Sequence, residues 1–118
     1  MKTLKKVEWL GSSLEDLKSF PDSVQKAVGY ALHRSQEGKK HEKAKPLKGK
    51  HYSGVFEIVC PYINDTYRTV YIAKLGNKIY VLHAFMKKSK TGIKTPKPDL
   101  TIIDERLKQA KKLSKEEK

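Results

Sequence analysis

Between Gly54 and Met86 the chain carries three runs that suit β-strands: GVFEIVC at 54–60, YRTVYIA at 67–73 and KIYVLHAFM at 78–86. Val, Ile, Tyr and Phe dominate all three, as a pleated, packed surface favours. The separators are turn-like, PYIND at 61–65 and LGNK at 75–78, with Gly76-Asn77 placed for a hairpin. A meander of adjacent antiparallel strands follows, and the rest of the chain must cover it. The runs are apolar on both parities, so alternation alone does not assign each residue to a face.

The flanking segments supply that cover. VEWL at 7–10 is a candidate first strand closed by Gly11. Ser12 or Ser13 can cap a short helix with Glu15 and Asp16 in its first turn, where negative charge suits the helix dipole. Leu14 and Leu17 give this helix a small apolar face, Pro21 ends it, and Asp22 can cap the next. Over residues 23–37, Val24, Ala27, Val28, Ala31 and Leu32 recur at helical spacing, with Gly38 as the stop. The two helices form a hairpin whose apolar stripe needs a sheet. KKHEKAKPLKGKH at 39–51 reads as a basic loop leading into the strands, either a phosphate-contacting rim or a plain solvated loop. A last helix is expected over 99–113, capped by Asp99 after Pro98, with Leu100, Ile103, Leu107 and Ala110 on one face; residues 114–118 are expected to fray. The order is β–α–α–β–β–β–α. It predicts a single α+β domain over 1–118, with a core from about 6 to 112.

Lys and Arg number 26 against 13 acidic residues, a formal charge of +13 over 118 residues. A domain this basic points to a polyanion as partner. The single cysteine, Cys60, excludes an intrachain disulfide and a cysteine-cluster zinc site. Histidines 33, 41, 51 and 83 lack metal-ligand spacing, and there is no Ser-His-Asp order, Walker loop or dinucleotide fingerprint. No metal and no cofactor are expected. The N-terminus lacks the apolar stretch of a secretory signal, and no window approaches the roughly 18–20 apolar residues of a membrane span. A cytoplasmic protein with no membrane partner is expected.

Charge inside strands is the informative exception. Glu57 sits within GVFEIVC, Arg68 within YRTVYIA, His83 within KIYVLHAFM, and the last run ends in Lys87 and Lys88, with no acidic residue before Asp99. If the helical hairpin covers one sheet face, an open second face can present Glu57, Arg68 and the Lys87–Lys88 end together. Such a metal-free set suits phosphodiester chemistry on RNA, in which the 2′-hydroxyl attacks the adjacent phosphate. That reaction needs a base, stabilisation of the phosphorane and a proton donor for the leaving oxygen. Arg68 can clamp the phosphate bidentately, with charge added by Lys87 or Lys88, and Glu57 or a histidine can move the proton. The plainer alternatives are a Glu57–Arg68 cross-strand ion pair, a hydrogen-bonded core His83, and Tyr52 and Tyr71 as packing residues.

Over roughly residues 6–112 the chain resembles the RelE/ParE superfamily of toxins from type II toxin–antitoxin systems, in its phage-derived Gp49-like, HigB-type branch. VEWLGSSLEDLKSFP, the second helix ending in QEG, PLKGKHYSGVFEIV, YRTVYIA and above all IYVLHAFMKKSKTGIKTP carry the resemblance. It implies a RelE-like fold: a helical hairpin on a small twisted antiparallel sheet, with a C-terminal helix. It also implies a ribosome-dependent, metal-independent endoribonuclease that cuts translated mRNA in the A site. The partners it implies are mRNA, the ribosome and a cognate antitoxin, usually with a helix-turn-helix domain. Operator DNA would be reached only through that antitoxin. By position, Arg68 matches the family's phosphate-binding arginine, Lys87 and Lys88 its basic cluster, and Glu57 the glutamate of this branch's E-L-R segment. Val59 stands where that segment carries a basic residue, and no tyrosine follows Lys88 as in some relatives. Glu57, His51, Tyr52 and His83 stay open as the base. Lys48, Lys50, His51, Tyr52, Lys90 and Lys94 are the expected RNA and ribosome contacts. The same scaffold also hosts gyrase inhibitors that cleave nothing, and a non-catalytic RNA binder is a further alternative.

Overall fold

The computed structural model describes residues 4–88 and 95–116. In chain order its elements are β1 (Lys6–Trp9), α1 (Ser13–Lys18), α2 (Asp22–Gln36), β2 (Ala44–Pro46), β3 (Val55–Tyr62), β4 (Asp65–Leu75), β5 (Lys78–Lys88) and α3 (Lys97–Glu116). The strands form one five-stranded sheet in the order β1-β5-β4-β3-β2. The meander of β3, β4 and β5 is antiparallel, as the short separators require.

Three features depart from the sequence-based expectation. The sheet is mixed, because β1 lies parallel to β5, with Val7 opposite Ile79 and Trp9 opposite Val81. The basic loop contains a short edge strand, β2, which pairs Lys45 with Glu57; with two exposed residues out of three it carries no apolar signal. And neither sheet face is open over its full length. α1 and α2 cover one face, burying Leu17, Phe20, Val24, Val28, Ala31 and Leu32 against Ile58, Tyr71, Ile79, Val81 and Ala84. α3 covers the other, burying Ile103, Leu107 and Ala110 against Val55, Val70, Ile72, Tyr80 and Leu82. Two helical layers explain why the strands are apolar on both parities.

The helix termini also shift. α2 is entered through Pro21, with Asp22 already inside its first turn. α3 begins at Lys97, so Pro98 sits near its start, where a missing N–H is harmless, and Asp99 lies within the first turn instead of capping it. The helix continues through Glu116, so Ser114–Glu116 are helical, and 117–118 lie outside the described residues. α3 is tied down at mid-length as well: Arg106 Nη1 donates to the Leu82 carbonyl at 2.9 Å, and Nη2 to Ser12 Oγ at 3.3 Å. Its C-terminal half lies over the β4–β5 turn, where Ser114 Oγ is 3.6 Å from the place a Cβ on Gly76 would take. Its N-terminus therefore faces the opposite end of the sheet, towards the Lys87 end of β5.

Gly29 lies in the middle of α2, exposed, and a Cβ there meets nothing within 4 Å. Gly29→Ala is therefore expected to stabilise the fold by about 1 kcal/mol through helix propensity. Thermal unfolding followed by circular dichroism should show a Tm higher by roughly 4 °C.

Candidate functional site

The register sets the charged strand residues on a diagonal. On the face that α3 covers, one cross-strand row reads Lys45–Glu57–Val70–His83, the next Val59–Arg68–Phe85, and the next Pro61–Thr66–Lys87. Glu57, Arg68 and Lys87 thus step across β3, β4 and β5, one row lower at each strand. Diagonal neighbours of this kind lie within reach of long side chains.

His83 reaches this face through an irregularity. Val70 faces His83 while Tyr71 faces Val81, so Leu82 is an extra residue in β5. Strict alternation from Val81 would put His83 under α1 and α2. The extra residue restores it to the face of Arg68, as β-bulges do when they re-aim a side chain.

The side chains are withdrawn from solvent: Glu57 is 7% exposed, Arg68 7%, His83 6% and Lys87 5%. Arg68 Nη1 donates to Glu57 Oε1 at 2.9 Å. Thr95 Oγ1 donates to the second oxygen, Oε2, at 3.3 Å. His83 Nε2 lies 2.7 Å from Asp99 Oδ1 in the first turn of α3, and its ring stacks on Phe85 with centroids 4.9 Å apart. A carboxylate only accepts, so the contact places a hydrogen on Nε2. Nδ1 is buried and has no hydrogen-bond partner among the described residues. The Lys87 ammonium is held below the usual lysine pKa, first by burial, then by repulsion from Arg68, with Glu57 pulling the other way. A buried cation under that pressure is stabilised by any anion that docks beside it.

Of the expected catalytic set, Glu57, Arg68, His83 and Lys87 come together and Lys88 does not. Lys88 is exposed, follows Lys87 by one position and pairs with Asp65, so the pleat turns it to the other face. The expectation that Arg68 and Lys88 share one cleft is corrected: Lys87, and not Lys88, lies on the face of Arg68.

The expected RNA contacts divide as well. Lys48 and Lys50 are exposed in the segment before β3. Tyr52 is a core residue, 6% exposed, and its hydroxyl donates to Asp104 Oδ1 at 2.5 Å. Burial first, then that hydrogen bond and the Asp104 charge, push its pKa up to about 12. It is therefore placed to hold α3 and not to take a proton near neutral pH. His51 stacks on Tyr52 and reaches the same Asp104 oxygen at 3.3 Å. Lys90 and Lys94 lie outside the described residues.

Sequence reasoning missed four members: Lys45, Phe85, Thr95 and Asp99. Asp99 had a competing and ordinary explanation as a cap. Thr95 carries no signal of its own. Lys45 and Phe85 become visible only once the register is known.

A family model, described as phage derived protein Gp49-like, matches residues 15–108. The chain belongs to this Gp49-like family. The matched span holds every site residue from Lys45 to Asp99 and leaves out only β1, the start of α1 and the end of α3. No curated protein sequence matches the chain. Among solved structures, the Gp49-like chain is similar to one in the crystal structure of the toxin–antitoxin complex RelBE2 from Mycobacterium tuberculosis. The identity is 17%, the match covers 74% of this chain and 95% of that one, and the TM-score is 0.48.

The buried pair yields a stability test. Glu57→Leu or Arg68→Met alone strands a charge beneath α3 and should cost about 3–5 kcal/mol, whereas the double variant should recover most of that loss. Urea unfolding of the four proteins measures the coupling. Additive losses would mean that the two side chains act independently.

Proposed function

We propose that this Gp49-like protein is a RelE-like toxin of a type II toxin–antitoxin system that cleaves mRNA on the ribosome. The observation that carries the reading is the diagonal of Glu57, Arg68 and Lys87 in one buried face, with His83 beside it and its Nδ1 without a hydrogen-bond partner among the described residues. Family membership supports the toxin assignment. The charge of +13 supports RNA and an acidic neutralising protein as partners, and a cytoplasmic setting follows from both.

The chemistry is transesterification. The 2′-hydroxyl attacks the neighbouring phosphorus, the 5′-oxygen leaves, and the products are a 2′,3′-cyclic phosphate and a 5′-hydroxyl. Arg68 and Lys87 neutralise the charge that gathers on the non-bridging oxygens. Both oxygens of Glu57 already accept hydrogen bonds, from Arg68 and from Thr95. Its role is therefore to hold the guanidinium in place. The proton falls to His83, whose Nδ1 is unengaged among the described residues, while Asp99 fixes the ring through Nε2. A neutral His83 accepts the 2′-hydroxyl proton. In the protonated form it returns that proton to the leaving 5′-oxygen, which departs as the 5′-hydroxyl. Exposed Lys45, Lys48 and Lys50 supply salt-sensitive backbone contacts around the centre.

The burial of all four groups also favours a second reading, an RNA-binding protein that does not cleave. The two separate in one assay. Purified protein is added to mRNA-programmed ribosomes and cuts are mapped by primer extension. The cleaving toxin predicts A-site cuts that Lys87→Gln slows by about 100-fold. It also predicts that His83→Gln slows the cuts while ribosome binding is kept. Intact mRNA with bound protein would instead establish the non-cleaving reading.

A further inference from the structure

The opposite face of the sheet carries a second cationic feature that the chemistry above does not use. Where α2 ends, Lys39 N donates to the Arg34 carbonyl at 2.9 Å, and Gly38 adopts the left-handed φ of +83° that this closure needs. The chain then turns back over β3 and β4. A cleft of about 230 Å³ results, lined by Lys5, Lys39, Lys40, Lys74, Phe56 and Tyr71 among others. No acidic residue lines it among the described residues. Lys5 Nζ is held in place by the Ala73 carbonyl at 2.9 Å, and Lys40 Nζ sits 5.3 Å from the centre of the Phe56 ring. Phe56 is half-buried and stacks on Tyr71 with centroids 5.8 Å apart.

Four lysines line one cleft, Lys5 just before β1, Lys39 and Lys40 in the α2–β2 connection and Lys74 in β4, although like charges repel. A cluster of that kind is held by the fold and relieved by an anion. The partly exposed ring at its base adds a flat apolar surface, which a carboxylate-rich peptide does not require and a nucleobase can stack on. Phe56 and Tyr71 immediately neighbour Glu57 and Val70, so the pleat puts this cleft on the face away from Arg68 and Lys87.

We infer that the Lys5–Lys39–Lys40–Lys74 cleft is a second RNA-binding site, taking a backbone phosphate with its base against Phe56, on the sheet face opposite the Arg68 centre. The proposed function bears on this inference only in the choice of RNA as the ligand. The protein then engages RNA from two sides at once, one strand segment at each face.

The probes are inorganic phosphate and a six-nucleotide RNA that is 2′-O-methylated and so cannot be cleaved. Both are titrated into the labelled full chain and followed by amide NMR. The amides of Lys39, Lys40, Ala73 and Lys74 should shift with both probes, and Phe56→Leu should weaken RNA about tenfold while leaving phosphate unchanged. Lys39→Ala/Lys74→Ala should lower the slope of log Kd against log salt by about 0.7, the one single-strand phosphate contact. An equal-charge control, Lys18→Ala/Lys26→Ala on the exposed surfaces of α1 and α2, should leave the slope unchanged. Equal losses in both pairs would reduce the cleft to bulk charge, and absent shifts would remove it. Polyglutamate shifting the same amides at the affinity of RNA would make it a peptide site, which also overturns the inference. Arg68→Ala should leave the cleft's shifts intact. The inference therefore survives if ribosomal cleavage fails, and falls alone if the shifts fail while cleavage holds.

Discussion

A guanidinium and a carboxylate, 2.9 Å apart and each about nine-tenths buried, sit between the sheet and the start of α3. Removing two charges from water costs several kcal/mol per ion, and their attraction repays that only where geometry is close and the remaining valences are met. Three elements converge on the carboxylate, both of whose oxygens accept: β3 brings Glu57, β4 brings Arg68, and the residue that leads into α3 brings Thr95. A packed apolar pair would hold this sheet as well. The polar choice keeps a positive, planar fork in this face of the sheet, as the proposed phosphate contact requires. The neighbouring Lys87 sharpens the point, because its charge is disfavoured by burial and by Arg68.

α3 links the core to this centre. Its apolar stripe, Ile103, Leu107 and Ala110, closes the second face of the sheet. Its first turn delivers Asp99 to His83, and its middle holds Tyr52 through Asp104 and reaches Leu82 through Arg106. The helix that completes the core therefore also fixes the tautomer of the one imidazole in the site. Core closure and the His83–Asp99 contact share a single element, so changes in α3 packing should be felt at His83.

The strands of the meander were legible because β-branched and aromatic residues crowd 54–86, and the helices because Val24, Val28 and Ala31 repeat at helical spacing. Glu57, Arg68, His83 and Lys87 stood out as charges in apolar runs. Their grouping was not legible. It depends on register and on the extra residue at Leu82, and a one-residue slip exchanges the faces of an entire strand. The same sensitivity explains why Lys87 and Lys88 looked equivalent in sequence and are not. β2 was hidden because an edge strand of three residues has no periodicity to detect, and parallel β1 because pairing direction leaves no local trace. Asp99 was misassigned because the residue that can cap a helix can equally reach across to a histidine.

The central claim is that Lys87 sits in a centre built to receive a phosphate. The direct measurement is its pKa by side-chain ¹⁵N or ¹³C NMR, with and without a 2′-O-methylated RNA bound. The account predicts a value below the usual lysine range in the free protein, because burial and Arg68 disfavour the charge, and a rise when RNA phosphate docks beside it. An ordinary value in the free protein, unmoved by RNA, would contradict it.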